Sequence, residues 1–191
     1  MKTNETKDLL ISAIVLAFAF GIALSGGFKA FLDPVTLIVV SIICLFVISL
    51  GFVLHELGHR FIARKFGCHA RYQMWSQGLL IALIFSLFEF IFAAPGAVMI
   101  YQTSSRRPLT KKKIGLISLS GPLINILLAV FFMLLNLALS SWIFYLGVRI
   151  NTLLALFNLI PFQPLDGAKI FAWSRKIWLG VIIVAIGLLM L

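Results

Sequence analysis

Charged residues are scarce in this sequence. Only six of its 191 residues are acidic and 12% are charged in all, whereas 62% are apolar. A soluble globular domain is roughly a quarter charged and half apolar, so the composition excludes such a domain and indicates a membrane protein. Because apolar runs occupy most of the length, we predict one integral-membrane domain over residues 1–191.

The sequence also excludes two further classes, proteins built on cysteine sites and proteins that bind nucleic acid. Cys44 and Cys68 are the only cysteines, and they form neither a metal-type pair nor a disulfide framework. The net charge of +10 does not indicate nucleic-acid binding, because the Lys and Arg residues lie in short clusters between apolar runs. Such clusters are typical topology signals, so we expect the lipid bilayer, and no nucleic acid, as a partner.

Five apolar segments approach the roughly twenty residues that a helix needs to cross a bilayer, and a sixth, 177–191, is short. We therefore predict an all-α polytopic membrane protein with about five or six transmembrane helices. The first segment lacks a small-residue cleavage site and is expected to stay as a retained span. The five segments are 9–24, 35–54, 78–100, 114–139 and 142–165.

The third segment decides the topology, because it contains Glu89 and the helix-disrupting pair Pro95-Gly96. If the segment dips into the membrane and returns, fourteen of the sixteen Lys and Arg residues share one face. If the segment crosses, seven of these basic residues lie on one side of the membrane and nine on the other, so the positive-inside rule favours neither orientation. We therefore predict a re-entrant membrane loop that lines protein or a watery cavity, with an ordinary helical hairpin as the alternative.

A metal-binding pattern closes the second segment, where residues 54–59 read LHELGH. Residues four apart lie on one face of a helix, so His55 and His59 can reach a single ion. Glu56 projects near enough to act as general base on a water bound to that ion. Ionisable groups are costly at the end of a membrane helix, and the sequence has only three histidines, so this placement favours a function.

A catalytic zinc site takes three protein ligands, so a third is required. Glu89 and Asp166 are the acidic residues left once Glu56 and those of the N-terminus and first loop are set aside. Asp166 is favoured, because the two prolines at 161 and 164 unwind the helix end and let it turn inward. Only re-entry of the third segment brings Asp166 to the same face as the histidines, which agrees with the charge argument.

The sequence resembles the site-2 protease family of intramembrane zinc proteases. The resemblance is carried by residues 55–59 (HELGH), 120–125 (SGPLIN) and 158–167 (NLIPFQPLDG), and it covers a core of roughly 35–170. It implies one zinc ion at His55, His59 and Asp166, with Glu56 as the catalytic carboxylate. Larger relatives have accessory domains for which this sequence leaves no room, so a compact form is expected.

The resemblance also implies roles outside the ligand set. It implies that Asn158 is a polar helper near the scissile carbonyl. Asn125 is implied as a substrate contact, with an interhelical hydrogen bond as the alternative, and Gly121-Pro122 is interpreted as a site of close helix packing. Residues 94–101 resemble the family's extended edge segment, so substrate binding by an unwound target strand is expected at Pro95, Gly96, Ala97 and Val98.

The predicted function is hydrolysis of peptide bonds in transmembrane substrates by zinc-activated water, in a multi-pass protein of a prokaryotic cell membrane, with the site near the cytoplasmic side. Two alternatives stay open. One is a membrane gluzincin that uses Glu89 as the third ligand. The other is a non-proteolytic ion-binding or transport protein, in which the same intramembrane charges form a path for ions.

Overall fold

The computed structural model describes residues 4–91, 95–102 and 109–191. These residues form helices joined by one small two-stranded sheet, in which β1 pairs with β2. The helices are α1 Glu5–Leu24, α2 Pro34–Lys65, α3 Ser76–Ser86, α4 Lys111–Leu139, α5 Trp142–Leu159, α6 Asp166–Trp173 and α7 Arg175–Leu189; a 3-10 helix covers Gly27–Leu32, and the strands are β1 Cys68–Met74 and β2 Gly96–Gln102.

Among the described residues, α1, α2, α4 and α5 are long and apolar enough to cross a membrane. Large apolar side chains recur at helical spacing on their exposed faces, as Ile38, Ile42 and Phe46 do on α2 and Leu127 and Leu134 on α4. Exposed apolar stripes of this length suit a lipid environment rather than water. The mainly helical membrane architecture is therefore confirmed, whereas a count of five or six spans stays a prediction.

The third apolar segment contains one short helix. The eleven residues of α3 rise about 16 Å, roughly half the hydrocarbon thickness of a bilayer. Beyond it, Glu89 has a positive φ of 62°, and the Trp75 N–H donates to the Pro95 carbonyl at 2.8 Å, next to the paired strands. Re-entry into the membrane stays a prediction, and residues 92–94, including the first residue of the expected edge segment, lie outside the described residues.

Capping residues fix where several helices begin. Pro34 is the first residue of α2, a position that suits its fixed φ, and Asp33 accepts hydrogen bonds from the Thr36 N–H and hydroxyl. Thr110 accepts from the Lys113 N–H at the start of α4. The fifth apolar segment ends as a helix at Leu159, and a new helix, α6, begins at Asp166 after the two prolines.

By its contacts the chain divides into two compact units, one formed by Met1–Val53 with Tyr72–Ala97, the other by Leu54–Arg71 with Val98–Leu191. In the first unit, α1 packs on α3. Tyr72 is fully buried, its hydroxyl lies 2.9 Å from Ser12 Oγ, and its N–H donates to Glu5 Oε1. These hydrogen bonds join α1 to β1.

In the second unit, α4 packs against α5 and α6 around a buried apolar core. Small residues bring the helices together, since an added Cβ at Gly147 of α5 would collide with the ring of Phe132 of α4. The core residues are Leu119, Ile126, Ala129, Ala155, Leu159, Ile170, Ala185 and Leu188. This packing holds α6, and with it Asp166, against the part of α4 that faces the end of α2.

Candidate metal centre

Three ligand atoms converge in the second unit. His55 and His59 lie one turn apart in α2, and their Nε2 atoms are 3.0 Å apart. Asp166 Oδ2 lies 3.4 Å from His55 Nε2 and 3.0 Å from His59 Nε2. All three residues are buried, and within the described part of the chain they form a group that could hold a metal ion.

The hydrogen bonds of the two imidazoles fit a metal at this group. His55 Nδ1 lies 2.5 Å from Asn125 Oδ1, and His59 Nδ1 lies 2.7 Å from the Ile117 carbonyl oxygen. A carbonyl oxygen can only accept, so each Nδ1 carries the proton and each Nε2 keeps a lone pair. Two nitrogen lone pairs and a carboxylate oxygen that are buried about 3 Å apart repel one another, and a cation bound between them would remove this repulsion.

The separations also suit zinc. Tetrahedral zinc with bonds of about 2.0–2.1 Å holds its ligand atoms about 3.3 Å apart. The three distances in this group are 3.0, 3.0 and 3.4 Å. Two imidazole nitrogens and one carboxylate oxygen are a known catalytic zinc set, which leaves a further position for water.

Gly121 of α4 lies beside the ligand atoms. A Cβ added there would be 2.5 Å from the Nε2 atoms of both His55 and His59. A side chain at this position would therefore fill the space that a bound ion requires. The interpretation of Gly121 as a residue of helix packing was incomplete, because the sequence could not show which groups face it.

The two oxygens of Asp166 have different partners. Oδ2 faces the histidines, while Oδ1 lies 3.7 Å from Lys169 Nζ, one turn along α6. Burial alone would raise the pKa of Asp166. When the imidazoles are protonated at Nε2, as in the protein without a metal, the charge of His59 and hydrogen bonds from both rings outweigh burial and hold this pKa well below its usual range. The next residue, Gly167, packs so closely against the carbonyl oxygens of Leu159 and Ile160 that a side chain would not fit there.

Glu56 follows the first histidine and is buried. Its Oε2 atom makes no hydrogen bond to any residue that the structure describes. A buried carboxylate oxygen without a partner costs free energy, so native sites of this kind usually serve a water or a reacting group. This environment fits a proton acceptor.

The other predicted site residues lie in varied surroundings. Asn125 is completely buried and donates through Nδ2 to Asn151 Oδ1 of α5, so the interhelical hydrogen bond considered as its alternative role is present. Asn158 is half-buried, and its Nδ2 donates to the Leu154 carbonyl at 2.9 Å. The substrate contact of Asn125 and the catalytic role of Asn158 stay predictions.

The expected substrate-binding residues lie at the start of β2. Pro95, Gly96 and Ala97 belong to the first unit, where Gly96 packs closely on Tyr72 and the Gln73 carbonyl. Val98 belongs to the second unit and packs on its buried cluster beneath β1. Glu89, the rival third ligand, is exposed and is not among the residues of the potential metal group.

Sequence reasoning did not assign three groups around the site. Lys169 had a detectable signal, because it follows Asp166 at the i,i+3 spacing of a helix. Asn151 also had a signal, as an amide within an apolar membrane segment. The Ile117 carbonyl had none, since a backbone acceptor leaves no trace in residue type.

Comparison with known proteins places the chain in a family. The family model described as Peptidase family M50 matches residues 41–142, slightly more than half of the chain. The chain belongs to peptidase family M50. The predicted resemblance to site-2 proteases is thereby confirmed, and membership supports a metalloprotease function. No solved structure matches the chain.

Three relatives of this M50 chain carry the provisional name of zinc metalloprotease. A protein of Methanocaldococcus jannaschii is 39% identical over 92% of this chain and 87% of its own length. A Bacillus subtilis protein is 30% identical over 72% of this chain and 69% of its own, and one from Mycolicibacterium smegmatis is 29% identical over 80% and 67%.

Proposed function

We propose that this M50 chain is an intramembrane zinc metalloprotease that acts as one domain over residues 1–191 and hydrolyses peptide bonds of transmembrane proteins. The observation that carries the proposal is the convergence of His55, His59 and Asp166 at separations of 3.0 to 3.4 Å, with both Nδ1 atoms bonded to acceptors. Family membership and the names of the relatives support the reaction class. The four long apolar helices support the membrane setting.

His55 and His59 would hold one zinc ion through neutral Nε2 atoms, and Asp166 would hold it through Oδ2. When bound, zinc lowers the pKa of water and polarises the scissile carbonyl. Asp166 would bind the ion through Oδ2 alone, because its Oδ1 lies near the Lys169 ammonium. Gly121 keeps the space in front of the imidazoles clear.

Glu56 is the proposed general base. Its Oε2 would accept the proton of the attacking water and pass it to the leaving amide nitrogen. Burial of the carboxylate keeps bulk water from competing for this oxygen. Asn158 uses one Nδ2 hydrogen for the Leu154 carbonyl and keeps a second, which we propose donates to the scissile carbonyl.

Strand β2 is the proposed substrate platform. Among the described residues the sheet has two strands, so one edge of β2 pairs with β1 and the other edge would pair with a substrate strand. A transmembrane helix hides its peptide bonds within its own hydrogen bonds. Strand addition at Pro95, Gly96, Ala97 and Val98 would hold a target segment extended for attack.

The proposed location is a prokaryotic cell membrane, with the site close to the cytoplasmic face. His59 precedes the last residue of α2, Lys65, by six positions, a rise of about 9 Å. The last turn of α2 is basic, with Arg64 and Lys65. Basic residues of this kind mark the cytoplasmic boundary, so water has a short route to the metal group.

The test is a paired measurement of zinc content and cleavage on purified protein reconstituted in lipid. Wild type should contain one zinc per chain and cut members of a panel of single-span proteins. His55→Ala, His59→Ala and Asp166→Asn should lose both zinc and cleavage. Glu56→Gln should keep zinc and lose cleavage, because it removes the base and leaves the ligands in place.

The two alternatives predict other results. A gluzincin would lose zinc in Glu89→Gln and keep it in Asp166→Asn. A transporter would leave the whole panel uncut while Glu56→Gln still moved an ion across the membrane. Either pattern would overturn the proposal.

A further inference from the structure

A row of three polar side chains leads away from the metal group. His55 Nδ1 is bonded to Asn125 Oδ1, Asn125 Nδ2 donates to Asn151 Oδ1 at 3.2 Å, and Asn151 Nδ2 donates to the Gly147 carbonyl at 2.9 Å. Both asparagines have no exposed surface, and His55 is 4% exposed. Water therefore has no access to replace any member of the row.

The row has a fixed polarity, because its far end is a backbone carbonyl. The Gly147 oxygen can only accept, so it selects the amino group of Asn151 and turns Oδ1 towards Asn125. That oxygen in turn selects the amino group of Asn125 and turns its Oδ1 towards His55. A rotated Asn125 would present an N–H to His55 Nδ1 and favour the tautomer whose Nε2 carries the proton.

We propose that Asn151 is a positioning residue of the metal centre, which through Asn125 keeps His55 in the tautomer that can bind zinc. The inference rests on the proposed function. Asn151 does not touch the reacting atoms; it acts through the orientation of one amide. Outer hydrogen-bond partners of metal-bound histidines commonly fix the tautomer in this way.

The two asparagines of the row lie on α4 and α5, which pack closely against each other. Gly147 of α5 lies on the ring of Phe132 of α4. Phe132 lies two turns from Asn125, and Gly147 one turn from Asn151, so the glycine contact and the amide contact belong to the same helix interface. Close approach of α4 and α5 at Gly147 thus brings the two amides within hydrogen-bonding distance.

The test is a double-mutant cycle on zinc affinity, measured by competition with a chelator on the full-length protein in detergent. Asn151→Leu should raise the zinc Kd about tenfold, the lower end of the effect of outer-shell partners. Asn125→Asp puts an acceptor at either oxygen, so the tautomer of His55 no longer depends on Asn151. In that background Asn151→Leu should not raise the Kd, because it also removes the Oδ1 acceptor that would face the new carboxylate.

Thr152→Val is the matched control. Thr152 is the next residue of α5, it is fully buried, and its hydroxyl has no hydrogen-bond partner in the described part of the chain. Its loss should leave the zinc Kd unchanged. Nitrogen NMR of the zinc-free protein at high pH gives a second readout, in which Asn151→Leu should increase the fraction of His55 protonated at Nε2.

The outcomes separate this inference from the proposed function. Equal losses from Asn151→Leu in both backgrounds would mean that Asn151 acts by packing, and would overturn the inference. Wild-type protein that binds no zinc would instead overturn the proposed function. If Asn151→Leu does not fold, Asn151→Ser, which is too short to reach Asn125, goes through the same cycle with the same expectations.

Discussion

Gly121 faces His55 and His59 so closely that a Cβ on it would lie 2.5 Å from both Nε2 atoms. The two histidines come from one turn of α2, and the glycine comes from α4, more than sixty residues further along the chain. The space in front of the imidazoles therefore depends on a residue that has no side chain.

Gly121→Ala should weaken zinc binding. The added methyl group overlaps the positions of the ligand atoms, so either the imidazoles or α4 must move, and we expect zinc affinity to fall by at least about tenfold. Zinc content per purified chain measures the effect. Gly180→Ala is the matched control, since a Cβ at this α7 glycine meets nothing within 4 Å, and it should retain full zinc. Equal zinc in both variants would contradict this description of Gly121.

Lys169→Met should weaken zinc binding modestly. The Lys169 ammonium lies 3.7 Å from Asp166 Oδ1 and is about one-third exposed, so solvent screens the pair and limits its contribution to about 1 kcal/mol or less, roughly fivefold in Kd. Lys176→Met, at an exposed position in α7, is the control for loss of a positive charge. A loss no larger than that of Lys176→Met would show that the Lys169–Asp166 ion pair does not contribute to zinc binding.

Acidification should release zinc through the histidines and not through Asp166. The pKa of Asp166 is held below its ordinary value of about 3.9, so its carboxylate stays ionised as the pH falls through that value. Each ligand histidine must be neutral to bind zinc, so as the histidines take up protons the logarithm of the zinc Kd should rise by up to about two per pH unit. Chelator competition between about pH 7 and 4 measures this slope. A third proton taken up near pH 4 would contradict the assignment for Asp166.

Trp178→Phe should lower the stability of the zinc-free protein. The Trp178 Nε1 donates to the Leu159 carbonyl at 2.7 Å, which satisfies an acceptor at the last residue of α5, just before the turn that leads to Asp166. Loss of this bond should cost about 1 kcal/mol in the free energy of unfolding. Thermal unfolding in detergent measures the change. Trp142→Phe, at an exposed position in α5, should unfold as the wild type does.

The metal ligands could be predicted because their signals are local. His55 and His59 have the spacing of one helix face, and Asp166 follows two prolines that end a helix, so each position could be derived from its own neighbours. Gly121 and Asn151 act across helices, and their partners depend on how α4 rotates against α2 and α5. Apolar periodicity does not determine that rotation in a membrane segment that is apolar on all sides.

The strands and the end of the chain were less predictable. β1 was not predicted, because CHARYQM carries polar and charged residues and pairs with β2 through its backbone. The two prolines of segment 142–165 predict an unwound helix end, and the structure ends α5 at Leu159, but the amphipathic α6 that begins at Asp166 was not predicted. A proline fixes where a helix stops, but it does not determine whether the following residues form another helix.

The positions of the ligands along the chain have a consequence for assembly. Two come from position 55 and position 59, and the third comes from position 166, more than a hundred residues later. An ion shared by these three side chains would act as a reversible cross-link that closes a very long loop, and such closures restrict the unfolded chain most strongly. A bound metal would therefore oppose separation of the end of α2 from the start of α6.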